Sequence, residues 1–144
     1  MSPKAVRPNR LPDWQHRLVQ YLQSVQGKPI EPGQHDCALF LADGIEAVTG
    51  QDLAGSYRGK YDTFSKGVRL MRKEGLEDHV GFFRNTLKEI PLAFALPGDG
   101  AVVEMADGLD ALGIVQGEYI LLLDEQKART VHVPLLSGSA AFEV

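Results

Sequence analysis

The chain has 144 residues, 44% of them hydrophobic and 24% charged, with a net charge of −4 and a pI near 5.5. This length and composition predict one globular domain with a sizeable core, and the acidic balance argues against a general nucleic-acid-binding protein, which usually has a basic face. A single cysteine excludes an internal disulfide and an all-cysteine metal site, and no apolar run reaches the ~18 residues that span a bilayer.

Residues 1–10 (MSPKAVRPNR) are basic and contain two prolines. They lack the apolar segment of a signal peptide, which predicts a protein made in the cytoplasm. We expect 1–10 to be a flexible or partner-bound arm and 11–144 to be a single domain. The first helix is predicted to have Asp13 as its N-cap and to end at Gly27. Its apolar stripe consists of Trp14, Leu18, Tyr21, Leu22 and Val25.

The stretch 33–50 (GQHDCALFLADGIEAVTG) predicts a loop that turns into a central helix. Asp36 is a suitable N-cap, because its carboxylate can accept from the backbone N–H groups of the first turn. Gly50 stands where a helix ends in a left-handed residue. Apolar residues between them cover most sides of the helix, which predicts that it is buried at the centre of the domain.

Cys37 lies in the first turn of this helix. The unpaired N–H groups and the positive end of the helix dipole favour a thiolate at that position. Two interpretations follow. A lone cysteine is commonly a small buried hydrophobe, or it is a nucleophile, which normally needs a base to activate it.

The rest of the chain predicts further helices and then strands. A third helix is expected to be capped by Thr63 or Ser65 and closed by Gly75, and a helical turn or two is expected over 80–87. Beyond residue 91, short apolar runs separated by turns predict strands, with a hairpin turn at Asp107–Gly108. These strands are 101–105, 111–115, 119–123, 129–133 and 140–144. Helices followed by an antiparallel meander predict an α+β fold.

Three motifs in this order carry a family resemblance: GQHDCALF at 33–40, PGDGAVV at 97–103 and ALGIV at 111–115. The chain resembles the NlpC-type cell-wall cysteine peptidases, which have a papain-like core. More closely, it is similar to small phage and prophage proteins encoded among tail genes. The resemblance implies a papain-like, NlpC-like core, with N-terminal helices packed on a C-terminal antiparallel β-sheet, and it implies no cofactor.

The resemblance assigns roles to individual residues. The helix-start nucleophile of the active peptidases maps to Cys37, but their base, a histidine ahead of the Gly-Ile strand, maps to Ala111, which cannot accept a proton. A third polar residue would fall within 119–124, where only Asp124 is ionisable. His35, on the incoming loop, and His132, expected to face away from the core, remain as candidate bases, provided that one reaches to about 3 Å of the sulfur.

Two functions are compatible with these residues. The first is a structural or assembly component of a phage or prophage tail tip, with Cys37 vestigial on a degenerate peptidase fold. Its partners would be hub or distal tail proteins, with peptidoglycan as a further contact, and it would reside in the virion tail. The second is an active cysteine hydrolase that cleaves peptidoglycan stem peptides during DNA entry, with Cys37 as nucleophile. Ala111, at the position of the peptidase base, favours the first function. Scattered histidines without ligand spacing predict no metal site, and neither nucleic acid nor a membrane span is expected.

Overall fold

A computed structural model describes residues 7–106, 108–124 and 126–144, which form four helices and a six-stranded antiparallel sheet. The helices are α1 (Trp14–Ser24), α2 (Cys37–Thr49), α3 (Phe64–Lys73) and α4 (His79–Thr86). The strands are β1 (Glu89–Ile90), β2 (Gly100–Glu104), β3 (Asp110–Gln116), β4 (Tyr119–Asp124), β5 (Arg129–Pro134) and β6 (Ala140–Phe142), in the spatial order β1-β6-β2-β3-β4-β5. The predicted α+β class is therefore confirmed.

The central helix begins and ends where the sequence predicts. The Asp36 side chain accepts a hydrogen bond from the Leu39 N–H, and Gly50 ends α2 with a left-handed φ of 81°, so both predicted ends are confirmed. Thr63 is the residue that caps α3. The predicted side-chain cap at Asp13 is wrong: the residue has φ −102° and ψ 27° and makes no capping hydrogen bond, because a cap normally needs an extended backbone.

The strands differ from the prediction mainly at the edges of the sheet. β1 has only two residues and was not expected. The last strand ends at Phe142 instead of residue 144, because the Val144 N–H donates to the Asp99 carboxylate and not to a neighbouring strand. Of the predicted hairpin turn, Asp107 lies outside the described residues, and Gly108 has a φ of 83°, which glycine adopts readily.

Helix α2 lies across β2 and β3. A β-carbon placed on Gly44 would come within 2.5 Å of the Ile114 Cδ1 atom, and one on Gly100 would lie 3.0 Å from the Leu41 side chain. Both glycines therefore let the helix approach the sheet closely. Leu112, Ile114 and Phe142 face this core, while the opposite face of the sheet has its own apolar cluster that includes Val115 and Ile120.

The ladder between β3 and β4 is short. β3 pairs with β2 along its first five residues, from Asp110 to Ile114. It pairs with β4 only along its last three residues, from Ile114 to Gln116. Gly113 stands where the second ladder stops, and a β-carbon there would overlap the Leu121 carbonyl oxygen. The close approach of the two strands at this point requires a glycine, and beyond it β3 and β4 continue without pairing to each other.

Asp99 is completely buried and ties together segments from both ends of the domain. Its carboxylate accepts from Arg7 Nη2 at 2.8 Å, from Arg10 Nη2 at 2.9 Å and from the Val144 N–H at 2.9 Å. Hydrogen bonding to Asp99 raises the pKa of Arg7, whereas burial lowers the pKa of Arg10, and both guanidinium groups keep their protons. Residues 7–10 of the expected arm thus contact the domain, and residues 1–6 lie outside the described part of the chain.

Truncating the centre of α2 should destabilise the whole domain. Leu41 is 0% and Ile45 is 2% exposed, so replacing either by Ala removes buried contacts and leaves a cavity that costs about 2–5 kcal/mol. Chemical denaturation of each purified variant measures the change in the free energy of unfolding. Val19→Ala is the matched control, because Val19 is 49% exposed. Denaturation midpoints equal to that of the unmodified chain would contradict the central position of α2.

Asp99→Asn should be about as damaging as a core truncation, although it changes no volume. The amide leaves two buried guanidinium groups without their shared carboxylate, and breaking a buried ion pair from one side costs about 3–5 kcal/mol. Denaturation of Asp99→Asn should be compared with that of Glu143→Gln. Glu143 also pairs with Arg7, at 3.1 Å, but it is part-exposed, so the control should change stability by less than about 1 kcal/mol.

Candidate functional site

A cleft of about 720 Å³ opens where β3 and β4 part, beside the first turn of α2. Leu112 and Leu123 belong to the core on the helix side of the sheet, whereas Leu122 and Val131 belong to the cluster on the opposite side. All four line the cleft. The cleft therefore passes through the gap between the two strands and does not lie on one face of the sheet.

The helix end of the cleft is held by Asp36. One of its carboxylate oxygens accepts from the Leu39 N–H at 2.9 Å, and the other accepts from the Gly33 N–H at 3.0 Å and the Tyr61 hydroxyl at 2.6 Å. Burial, followed by this hydrogen bond, raises the pKa of Tyr61, so its hydroxyl remains a donor. With both oxygens engaged, Asp36 acts as a structural anchor that fixes Cys37, the next residue.

Cys37 and Ala111 line the same cleft. Cys37 comes from the first turn of α2 and is partly exposed, while Ala111 is the second residue of β3, two residues before Gly113 at the end of the ladder. The position at which the resemblance puts the base thus belongs to the same cavity as the nucleophile position, but it carries a methyl group. Asp124 lines the cleft as well; its Oδ1 accepts from the Gln126 N–H at 2.9 Å, and its Oδ2 lies 3.6 Å from Arg129 Nε.

His35 is buried behind the site. Only 1% of it is exposed, and neither ring nitrogen has a hydrogen-bond partner within the described part of the chain. The imidazole of His35 is therefore not hydrogen-bonded to the Cys37 sulfur, although His35 is only two residues before Cys37 in the sequence. Burial, together with the charge of Lys28, lowers the pKa of His35, and the charges of Asp43 and Asp36 oppose that shift.

His132 faces away from the core, as its alternation with apolar neighbours predicts. Its ring is exposed and packs edge-on against Tyr119, with 4.8 Å between ring centroids. Of the four histidines in the sequence, all of them described, none lines the cleft. The structure therefore brings together Cys37, Ala111 and Asp124, and it does not bring His35 or His132 into the cleft.

His79 is a buried residue that the sequence analysis did not single out. Its Nε2–H donates to the Asp110 carbonyl at 2.6 Å, next to Ala111, and its Nδ1 has no partner among the described residues. The Phe64 ring packs edge-on against it at 4.8 Å and lines the cleft. In the sequence, His79 could have been noticed because it directly follows Asp78. Asp78 caps α4, just as Asp36 caps α2 directly before Cys37.

Chemically, the cleft offers a sulfur, carboxylates and apolar walls. Among the described residues, no group of three or more His, Cys, Asp or Glu side chains is arranged to hold a metal ion. Within the same residues, no helix has both the length and the apolar character needed to cross a membrane. A cleft of this kind can bind a ligand by apolar contact and charge, whereas nucleophilic catalysis by Cys37 would need a base, and no histidine lines the cleft.

Comparison with known proteins places the site inside one family domain. Residues 9–144 match the model of a family described as a domain of unknown function (DUF6950). No curated protein matches the chain. The matched range includes α2, the whole sheet and therefore both walls of the cleft.

The buried imidazole of His35 should make the stability of the domain depend on pH. In the unfolded chain a histidine titrates near pH 6.5, and the pKa of His35 is lower in the folded domain. Between these two values the unfolded chain binds a proton that the folded one does not. The contribution of the neutral His35 ring to the free energy of unfolding is therefore fully present above about pH 6.5, and it is lost as the pH drops below that value.

Urea denaturation at a series of pH values from 7.5 to 5 measures this loss. His35→Leu should flatten the acid slope, because it removes the titrating ring, and should be at least as stable at pH 7, because it removes two unpaired buried nitrogen atoms. His132→Leu, a change of an exposed ring, should retain the slope. The hypothesis fails if the His35→Leu variant loses stability with acid as steeply as the unmodified chain.

Proposed function

The chain belongs to the DUF6950 family, and we propose that it is a structural or assembly component of a phage or prophage tail tip. In this proposal the domain is an NlpC-like, papain-like fold whose hydrolase chemistry has been lost. Its partners are other tail-tip proteins, such as hub or distal tail proteins, and peptidoglycan is a further contact. The protein is made in the bacterial cytoplasm and resides in the virion tail.

One observation carries the proposal: the cleft that contains Cys37 has Ala111 on its other wall and no histidine in its lining. An alanine methyl group cannot take the thiol proton, so the position that the resemblance assigns to the base cannot activate Cys37. His35 is buried without a hydrogen bond to the sulfur. A complete fold that keeps the cleft but lacks the base is better suited to binding than to catalysis.

The likeness to papain-like peptidases is itself part of the proposal. It is supported by a buried helix with a cysteine in its first turn, packed on an antiparallel sheet, and by a glycine-containing strand, β3, beside that cysteine. The association with phage tails comes from the sequence resemblance alone. In this proposal a neighbouring tail protein binds residues 1–6, which precede the contacts of Arg7 and Arg10 with Asp99.

The second candidate function is an active cysteine hydrolase acting on peptidoglycan stem peptides. It is favoured by the position of Cys37, which lines an open cleft at the N-terminus of α2, where the helix dipole stabilises a thiolate. A working enzyme would need a proton acceptor that enters the cleft on substrate binding. The two functions differ in whether Cys37 is required.

Purified virions test the tail assignment. Mass spectrometry of particles from a phage or induced prophage that encodes this chain should detect it in the tail fraction at a few copies per particle. Deletion of its gene should give defective tails, and expression of the intact chain from a plasmid should restore them. Normal tails without the gene would defeat the proposal, and absence from mature particles would rule out a lasting structural role.

Cys37→Ser separates the two functions. If the domain acts by binding, this variant should complement the gene deletion to within about twofold of the unmodified chain, because serine preserves the size of the side chain and only nucleophilic chemistry requires a thiolate. Purified chain should release no fragments from peptidoglycan. Ala111→His is the matched gain-of-function variant for the same assay. Loss of infectivity with Cys37→Ser, in a variant that folds and assembles, would support the hydrolase instead.

A further inference from the structure

We propose that the cleft between β3 and β4 binds an extended peptide segment of a partner protein, with a basic side chain of that segment held by Asp110. This inference rests on the proposed function, in which the cleft is kept for binding. It adds the chemistry of the partner, which the sequence resemblance does not supply.

The shape of the cleft fits an extended chain. The pairing of β3 with β4 ends at Ile114↔Leu121, whereas Asp110 and Leu112 are still paired with β2. In an antiparallel ladder, alternate residues direct their N–H and C=O groups to opposite neighbours. The N–H and C=O groups of Val115 bond to Asp99 and Gly98 on the β2 side, so those of Ile114, Leu112 and Asp110 point to the opposite side, where the cleft lies. An extended peptide can add to such an edge by main-chain hydrogen bonds.

His79 limits how far such a peptide can pair. Its Nε2–H already donates to the Asp110 carbonyl at 2.6 Å, so the available backbone groups of β3 are those around Leu112. The peptide would therefore make few main-chain hydrogen bonds, and side-chain contacts must supply the rest of the affinity. The walls provide apolar contacts through Phe64, Leu122 and Val131.

Two large apolar side chains at the rim extend the surface beyond the cleft. Met105 is 47% and Leu109 is 53% exposed, and both line the cavity. They are the first and last residues of the β2–β3 connection, and Leu109 directly precedes the open edge of β3. An exposed apolar rim continuous with a cleft is typical of a surface that a binding partner covers.

The charge of the cleft selects a basic ligand. Among the described residues, those that line the cleft include three aspartates, Asp36, Asp110 and Asp124, and no lysine or arginine. The Asp110 carboxylate has no ion pair among the described residues, whereas Asp124 is near Arg129, whose side chain is 53% exposed. Asp36 cannot contribute, because both of its oxygens are engaged. Asp110 is therefore the carboxylate that remains for a lysine or arginine of the partner.

This electrostatic pattern distinguishes a basic peptide from other ligands. An acidic segment, a phosphate backbone or an anionic lipid surface would place like charges against the mouth of the cleft, which lowers affinity and slows association. A purely apolar segment would use the walls but leave Asp110 desolvated without a partner. A segment with apolar residues around a lysine or arginine would contact the apolar walls and also neutralise the Asp110 carboxylate.

Fluorescence anisotropy with three labelled decapeptides tests the proposal on the full chain. The peptides have valine at alternate positions and lysine, methionine or glutamate at the centre. The lysine peptide should bind about tenfold more tightly than the methionine peptide, and the glutamate peptide should bind most weakly. Equal affinities for the lysine and glutamate peptides, or no binding of any peptide at millimolar concentration, would overturn the proposal.

Two variants and one control locate the binding. Asp110→Asn should weaken binding of the lysine peptide about tenfold and should not weaken binding of the methionine peptide, since it removes only the charge. Ala111→Trp should abolish binding of all three by filling the cleft. Glu118→Gln makes the same charge change in the exposed turn at the other end of β3 and should have no effect. Binding that survives Ala111→Trp in a folded variant, or that falls equally with Glu118→Gln, would place the peptide elsewhere and overturn the proposal.

The fate of the peptide separates this inference from the proposed function. Mass spectrometry after incubation should recover the lysine peptide intact, whereas cleavage by the unmodified chain but not by Cys37→Ser would overturn binding without chemistry. A chain that is present in virion tails but binds no peptide would refute this inference alone. A chain that binds the lysine peptide but is absent from virions, with normal tails in its absence, would refute the tail assignment alone.

Discussion

The carboxylate of Asp36 is the interaction on which the site depends. It closes the first turn of α2, fixes the incoming loop at Gly33 and holds the Tyr61 hydroxyl, all with one buried side chain. A buried charge is tolerable only when such hydrogen bonds replace water. Because these three contacts come from the helix, the loop before it and the segment after it, they set the position of Cys37 relative to the sheet. The position of Cys37 at the helix end of the cleft follows from that fixed start.

Features that depend on neighbouring residues could be predicted from the sequence. The Asp36 cap, the left-handed Gly50 and the existence of most strands are encoded within a few residues of each position, so local physical chemistry was sufficient. Asp13 shows the limit of the same approach: it is a suitable capping residue, but its backbone, with φ −102° and ψ 27°, does not adopt the extended conformation of a cap. The residue type alone does not determine the backbone angles.

Features that depend on distant residues could not be predicted in the same way. The early end of the β3–β4 ladder depends on how closely Gly113 approaches Leu121, and the burial of His79 depends on α4 packing beside β3. The contact between Arg7 and Asp99 joins positions 92 residues apart, so no local pattern signals that Arg7, within a basic, proline-containing segment, is bound to the domain. Ala111 was identified only through the family resemblance, since an alanine in a strand carries no chemical signal of its own.

The cluster around Asp99 also determines how the domain would carry mechanical load. Arg7, Arg10 and residue 144 converge on one carboxylate, and the Arg10 guanidinium lies 4.3 Å from the centre of the Trp14 ring at the start of α1. A force applied between residue 7 and residue 144 would therefore be carried by these ionic contacts before it reached the strands of the sheet. Because the carboxylate is buried, added salt would screen these contacts far less than a surface ion pair. The domain would keep its resistance to stretching over a wide range of ionic strength.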